Sequence, residues 1–190
     1  MRKPVVLLLA ALALGACRED AADLPPPVAM TADAVGHYCQ MNLLEHPGPK
    51  AQVHLVGLPD PLFFSQVRDA IAYQRMPEQS NSIAVIYVSD MGAAPSWEDP
   101  GAANWIPAAT AFYVVGSRQS GGMGAPELVP FADAGAAQAF AAANGGQVAA
   151  LDQINDADVL APLADGGAPG TGDAADYLER LKKLSAEQDS

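Results

Sequence analysis

The sequence predicts an α+β fold of two small, similar ββαβ modules packed together, with an extended N-terminal lipoprotein tether and a short C-terminal helix. Three observations point to it. The order strand, strand, helix, strand can be read twice along the chain. In each block an amphipathic or well-capped helical stretch is followed closely by a run with strand character. The intervening and flanking stretches are rich in Pro, Gly, Ala and acidic residues that fit neither period. The expected boundaries are 1–16 for a signal peptide, 17–28 for a tether, 29–90 for the first module, 91–104 for a linker, 105–152 for the second module and 153–190 for an acidic linker with the final helix.

The N-terminus reads as a leader. Arg2 and Lys3 precede an apolar run of ten residues, Val5 to Leu14, about half the length a helix needs to span a bilayer and typical of a secretory signal. The run ends in Leu14-Gly15-Ala16-Cys17, which resembles the lipobox of bacterial lipoproteins, so Cys17 is expected to be diacylated and to become the new N-terminus. Arg18 follows, where an Asp would signal retention at the inner membrane. By that resemblance the protein is anchored in the outer membrane and faces the periplasm, and nothing later in the sequence is long and apolar enough to cross a bilayer. Arg18 to about Val28, with Pro25-Pro26-Pro27, is the tether.

Cleavage before Cys17 leaves 174 of 190 residues, and loss of two positive charges takes the formal net charge from −12 to −14. Such acidity argues against nucleic acid or anionic lipid head groups as partners. One compact domain or two small ones fit this length, and a monomer is expected.

Within the first module, Tyr38–Met41 is expected as the first strand or its lead-in, and Glu45-His46-Pro47-Gly48-Pro49 as a turn. Ala51–Leu58 follows as a strand, Phe63–Gln74 as a helix with Phe63, Val67, Ala70 and Ile71 on one face, and Ser82–Val88 as a buried strand. Strands over Thr110–Gly116 and Glu127–Phe131 open the second module. Asp133 caps a helix from about Ala134 to Ala143, Asn144-Gly145-Gly146 stops it, and Gln147–Leu151 closes the module. Tyr177, Leu178, Leu181 and Leu184 form the apolar stripe of the terminal helix, Ala174–Leu184.

Chemistry concentrates at His37-Tyr38-Cys39-Gln40-Met41. In an oxidising compartment structural cysteines usually pair, yet acylation of Cys17 leaves Cys39 alone among mostly polar or small neighbours. A thiolate and a thioether at i and i+2 of an extended segment project to the same side, and soft sulfur ligands of this kind select Cu(I). Met123, in Ser120-Gly121-Gly122-Met123-Gly124, is the best candidate for a third sulfur, because glycines leave it little to pack against locally. Met91 is a weaker case, and Met30 and Met76 read as packing or surface residues. His37 is either a further ligand or a shield for the site. His46 reads as a turn residue, and His54 as outward-facing or hydrogen-bonded.

The run Gly36-His37-Tyr38-Cys39-Gln40-Met41-Asn42, followed by Glu45-His46-Pro47-Gly48-Pro49-Lys50-Ala51-Gln52, resembles the signature of the NosL family, accessory lipoproteins of nitrous-oxide reductase maturation. Ala111-Phe112-Tyr113-Val114-Val115-Gly116-Ser117, then Gly122-Met123-Gly124, Glu127 and Pro130-Phe131, resembles the same family, as does the lipobox. The resemblance runs from about Met30 to Leu151. It implies a periplasmic Cu(I) chaperone that supplies the copper sites of nitrous-oxide reductase together with the ABC-type maturation complex of that pathway. Carried over, Cys39 and Met41 occupy the family's C-x-M, and Met123 its downstream methionine. It implies no enzyme. The competing readings are a periplasmic thiol enzyme or redox protein using Cys39 with His37 or His46, a mercury-binding lipoprotein, and a peptide-binding lipoprotein whose sulfur residues are incidental. Walker-type, Rossmann-type and zinc spacings are absent.

Overall fold

The computed structural model of the chain describes residues 24–160, together with Glu179. The leader, Cys17 and most of the predicted C-terminal helix lie outside the described residues, and of that helix only Glu179 is described, as helical. Among the described residues no helix is long and apolar enough to cross a membrane.

Two antiparallel sheets organise the molecule. The first has the order β2-β1-β3-β4, from β1 (Ala51–Leu55), β2 (Leu62–Phe64), β3 (Ile83–Ser89) and β4 (Trp105–Pro107), with helix α1 (Val67–Arg75) between β2 and β3. The second has the order β6-β5-β7, from β5 (Phe112–Val115), β6 (Val129–Phe131) and β7 (Gln147–Ala150), with α2 (Ala134–Asn144) between β6 and β7. Strand, strand, helix, strand thus occurs twice, as expected. A further short helix, α3 (Asp156–Leu160), lies where the sequence reads as acidic linker.

Two local expectations for the first module are corrected. Tyr38–Met41 is a turn and not a strand, with Gln40 in the left-handed region at φ 54°. The helix does not begin at Phe63, because Leu62–Phe64 pairs antiparallel with Ala51–Val53. The apolar spacing that suggested a helix there is also compatible with an edge strand, and pairing to β1 decides the matter. β4 lies in the stretch assigned to the second module but hydrogen-bonds to Tyr87–Ser89 of the first sheet.

One core runs through both modules. Val53, Phe64, Val67, Ile71 and Val88 of the first pack in the same cluster as Tyr113 and Leu128 of the second and Ile154 and Val159 of the segment that follows it. Tyr113, fully buried, donates its hydroxyl to the Ala108 carbonyl at 2.8 Å. Val114, Val129, Phe131 and Ala137 form a second cluster with Trp97, whose ring stacks on Phe140 at 6.2 Å. Arg75, at the C-terminal end of α1, ties it to the end of the second module and to the segment beyond: it donates to the carbonyls of Leu151 and Ile154 and pairs with Asp156 at 3.0 Å.

The described end of the tether is held to the body. The Gln52 side chain accepts from the Val28 N–H at 2.8 Å and donates to its carbonyl at 3.0 Å, while the Tyr87 hydroxyl donates to the Pro25 carbonyl at 2.9 Å. The same Gln52 oxygen lies 2.8 Å from His54 Nε2, so His54 is buried and hydrogen-bonded.

Candidate metal centre

Cys39 sits in a closed turn. An antiparallel bridge between Val35 and Asn42 shuts it, Gly36 N–H donates to the Met41 carbonyl at 3.0 Å, and Gln40 N–H donates back to the Gly36 carbonyl at 2.9 Å. The Gln40 side-chain amide donates to the His37 carbonyl at 2.7 Å, holding its own left-handed backbone in place. Beneath the turn, Met30, Ala34 and the fully buried Leu43 form a small apolar base with Phe63 and Trp105. The His37 N–H donates to the Phe63 carbonyl at 2.6 Å, which docks the turn on the edge of the first sheet.

Within the turn the thiol lies over Gly36, where an added Cβ would come within 2.6 Å of Cys39 Sγ. Gly36 is therefore required for close approach and not for chain flexibility. The thiol is half-buried and contacts the Ser65 hydroxyl at 3.8 Å. Met41, two residues on, is 43 % exposed. Because the backbone turns at Gln40, the shared side of an extended segment cannot be what brings Cys39 and Met41 together.

The second module delivers Met123 to the same neighbourhood. The β5–β6 connection is closed by a bridge between Ser120 and Pro126 and by Gly121 N–H donating to the Ala125 carbonyl at 2.8 Å. Its glycines are pressed against the first module. A Cβ on Gly122 would meet His46 Cβ at 2.7 Å and the Ser65 carbonyl at 3.1 Å; one on Gly121 would overlap the side-chain oxygens of Glu127 and Gln66. These residues are small so that the loop carrying Met123 can dock, a role the sequence does not reveal. Met123 itself is 43 % exposed and lines a cleft of about 350 Å³ with Tyr38, Met76 and Leu160. Ser65 thus contacts both the Cys39 thiol and the loop that carries Met123.

Side chains that the sequence does not single out hold this junction. Gln66, almost fully buried, accepts from the N–H groups of Met123 and Ala125 at 3.0 and 3.3 Å, and donates to Asp69 Oδ2 at 3.0 Å. Glu127, equally buried, accepts from Arg68 N–H at 3.0 Å, so a residue of the second module caps the N-terminus of α1. Its other carboxylate oxygen is buried without a partner, and burial raises its pKa to about 8. Lys50, fully buried, donates to the carbonyls of Pro47 and Gly48 at 3.0 and 2.6 Å; burial lowers its pKa to about 8, with Glu127 opposing the shift. Burial also raises the pKa of Asp69, against the bond from Gln66. His46 Nδ1 lies 3.1 Å from the Gly122 carbonyl, so the expected turn residue also belongs to the junction.

His37 turns its ring into an aromatic group, 5.6 Å from Phe64 and 5.7 Å from Tyr73. Tyr38 stands edge-on to Phe64 at 5.2 Å, and its hydroxyl is 3.7 Å from the Met76 sulfur. Partial burial and then the charge of Asp69 raise the Tyr38 pKa. Met91 packs against the second cluster and Met30 in the base under the turn. Among the described residues no three His, Cys, Asp or Glu side chains gather to hold a metal. The Cys39 thiol and the glycine-flanked loop of Met123 both lie against Ser65 at the junction.

Fold and junction together define a small two-module α+β protein in which a half-buried thiol and a methionine-bearing loop lie against one residue where the halves meet. The chain belongs to the NosL family, whose model matches residues 27–159. It is 61 % identical over 181 residues to the copper-binding lipoprotein NosL of Achromobacter cycloclastes, covering 94 % of this chain and 93 % of that one. It is 33 % identical over 156 residues to the copper-binding lipoprotein NosL of Stutzerimonas stutzeri, covering 80 % of each. The crystal structure of the copper chaperone NosL from Shewanella denitrificans is similar with a TM-score of 0.65 at 32 % identity, over 70 % of this chain and 99 % of that one.

Proposed function

We propose that this protein is a lipid-anchored carrier of Cu(I) in the periplasm, held to the outer membrane through Cys17, and not an enzyme. Cys39 supplies a thiolate, and Met41 and Met123 supply thioethers. His37, with its ring against Phe64 and Tyr73, shields the site or serves as an alternative donor. The carrier delivers copper for the copper sites of nitrous-oxide reductase through the ABC-type maturation complex, acting as a monomer. The observation that carries this reading is the convergence on Ser65 of the Cys39 thiol and the Met123 loop, from opposite modules. Names given to relatives at 61 % and 33 % identity support the copper cargo and the lipid anchor.

The half-buried thiol suits a carrier. It is reachable by a partner yet flanked by backbone, and neutral thioethers moderate the affinity that a thiolate would otherwise confer. The thiol's hydrogen-bonding neighbour is the Ser65 hydroxyl and not an imidazole, which gives a thiol enzyme no base at that contact. Anaerobic titration against a chromophoric Cu(I) chelator tests the reading: about one Cu(I) binds per chain, Cys39→Ser abolishes competition, and Met41→Leu or Met123→Leu weakens it. Undiminished binding by Cys39→Ser would overturn the site. The delivery step is tested by copper-supplemented growth on nitrous oxide of a strain lacking the protein, where added copper is expected to restore growth.

A further inference from the structure

Consecutive residues at the start of α1 face the two donor segments. Ser65 touches the Cys39 thiol, and Gln66 holds the backbone of Met123. The Met123 loop satisfies part of its own hydrogen bonding, through Gly121 N–H to Ala125 O and Gly124 N–H to Gly121 O. Two of its N–H groups, those of Met123 and Ala125, are instead taken by one oxygen, Gln66 Oε1. The Gln66 amide nitrogen donates to Asp69 Oδ2, which fixes the amide so that its oxygen faces the loop.

Position explains why Gln66 is available. It is the N-cap residue of α1, yet its side chain makes no capping bond to its own helix. Glu127 takes over that task by accepting from Arg68 N–H. The two modules therefore exchange acceptors: Glu127 reaches back to cap α1, and Gln66 reaches forward to the loop.

We propose that Gln66 is the positioning residue that fixes the Met123 thioether relative to the Cys39 thiol, an inference that rests on Met123 being a copper donor. A glycine-flanked loop left unanchored samples many arrangements, and ordering it on binding would weaken the complex. An acceptor gripping the N–H of the donor residue itself removes much of that cost before copper arrives.

A double-mutant cycle on anaerobic Cu(I) affinity tests this, using the mature protein and chelator competition. Loss of two buried hydrogen bonds predicts that Gln66→Ala weakens Cu(I) binding about tenfold in the wild-type background. In the Met123→Leu background the same substitution is expected to change affinity less than about twofold, because the group it positions is already gone. The paired exchange Gln66→Glu with Asp69→Asn keeps an acceptor for both N–H groups and a donor at position 69, so it restores affinity and keeps the assay informative should Gln66→Ala fail to fold. X-ray absorption gives the spectroscopic readout: Gln66→Ala loses sulfur scattering at copper, and the paired exchange regains it. Equal loss of affinity in both backgrounds, or failure of the exchange to restore it, overturns the positioning role alone. No effect of Met123→Leu by itself overturns Met123 as a donor, and the inference with it.

Discussion

The two modules share an element order but differ in how their helices are held. Helix α2 (Ala134–Asn144) is locally determined: Asp133 accepts from Ala136 N–H at 2.9 Å, and Gly145 at φ 79° ends it. Helix α1 (Val67–Arg75) has no side-chain cap of its own. Its N-terminus is completed by Glu127, 59 residues later in the chain, and its last residue, Arg75, grips the carbonyls of Leu151 and Ile154. A helix that is complete by itself can serve as a scaffold. One that is complete only when docked can place a site at the seam, and there the Cys39 thiol and the loop that carries Met123 both lie against Ser65.

Breaking the seam at its tightest point should have the largest effect. Gly121 leaves no room for a methyl group beside Glu127 and Gln66, the latter's oxygen being 2.6 Å from where it would lie. Gly121→Ala is expected to cost about 2 kcal/mol by overpacking and to weaken Cu(I) binding as well; chemical denaturation and chelator competition on one preparation would measure both. Retention of both properties would mean that the loop is not pressed against the first module.

The buried carboxyl of Glu127 gives the seam a pH dependence. Its pKa rises from 4.5 to about 8 on folding, so the folded state holds a proton that the unfolded chain releases. Its contribution to stability is present in full below about pH 4.5 and is lost as pH rises towards 8. Glu127→Gln removes this slope while keeping an acceptor for Arg68 N–H. Melting temperatures of variant and wild type should be close near the acidic end of that window and diverge in favour of the variant towards the alkaline end. Parallel profiles would show that Glu127 is ionised in the fold.

The smallest effect is expected at the self-contained helix. Asp133→Ala should cost about 1 kcal/mol, the usual value of an N-cap, with copper affinity unchanged. Weaker copper binding in this variant would blur the division between scaffold and seam.

The same division explains what could be read from the sequence. From Phe112 onward the second module was legible, since Asp133, Gly145 and the aromatic and β-branched run Phe112–Val115 are local signals. The first misled at Phe63, where an apolar spacing suited to a helix belongs to a strand chosen by pairing with Ala51–Val53. It misled again at Tyr38–Met41, where a turn is closed by the Val35–Asn42 bridge and by bonds of Gly36 with Gln40 and Met41. At the candidate site, Cys39, Met41, Met123 and His37 stand out by residue type, because few side chains bind soft ions. Ser65, Gln66, Glu127 and Gly36 do not stand out, because their roles exist only once the seam has formed.

The central claim is that sulfur donors from both modules meet at one reduced copper ion. Copper-edge X-ray absorption on anaerobically loaded wild type and Met123→Leu tests it most directly. The account predicts that the substitution removes one sulfur from the copper coordination shell while the Cys39 thiolate stays bound. An unchanged sulfur shell would contradict it.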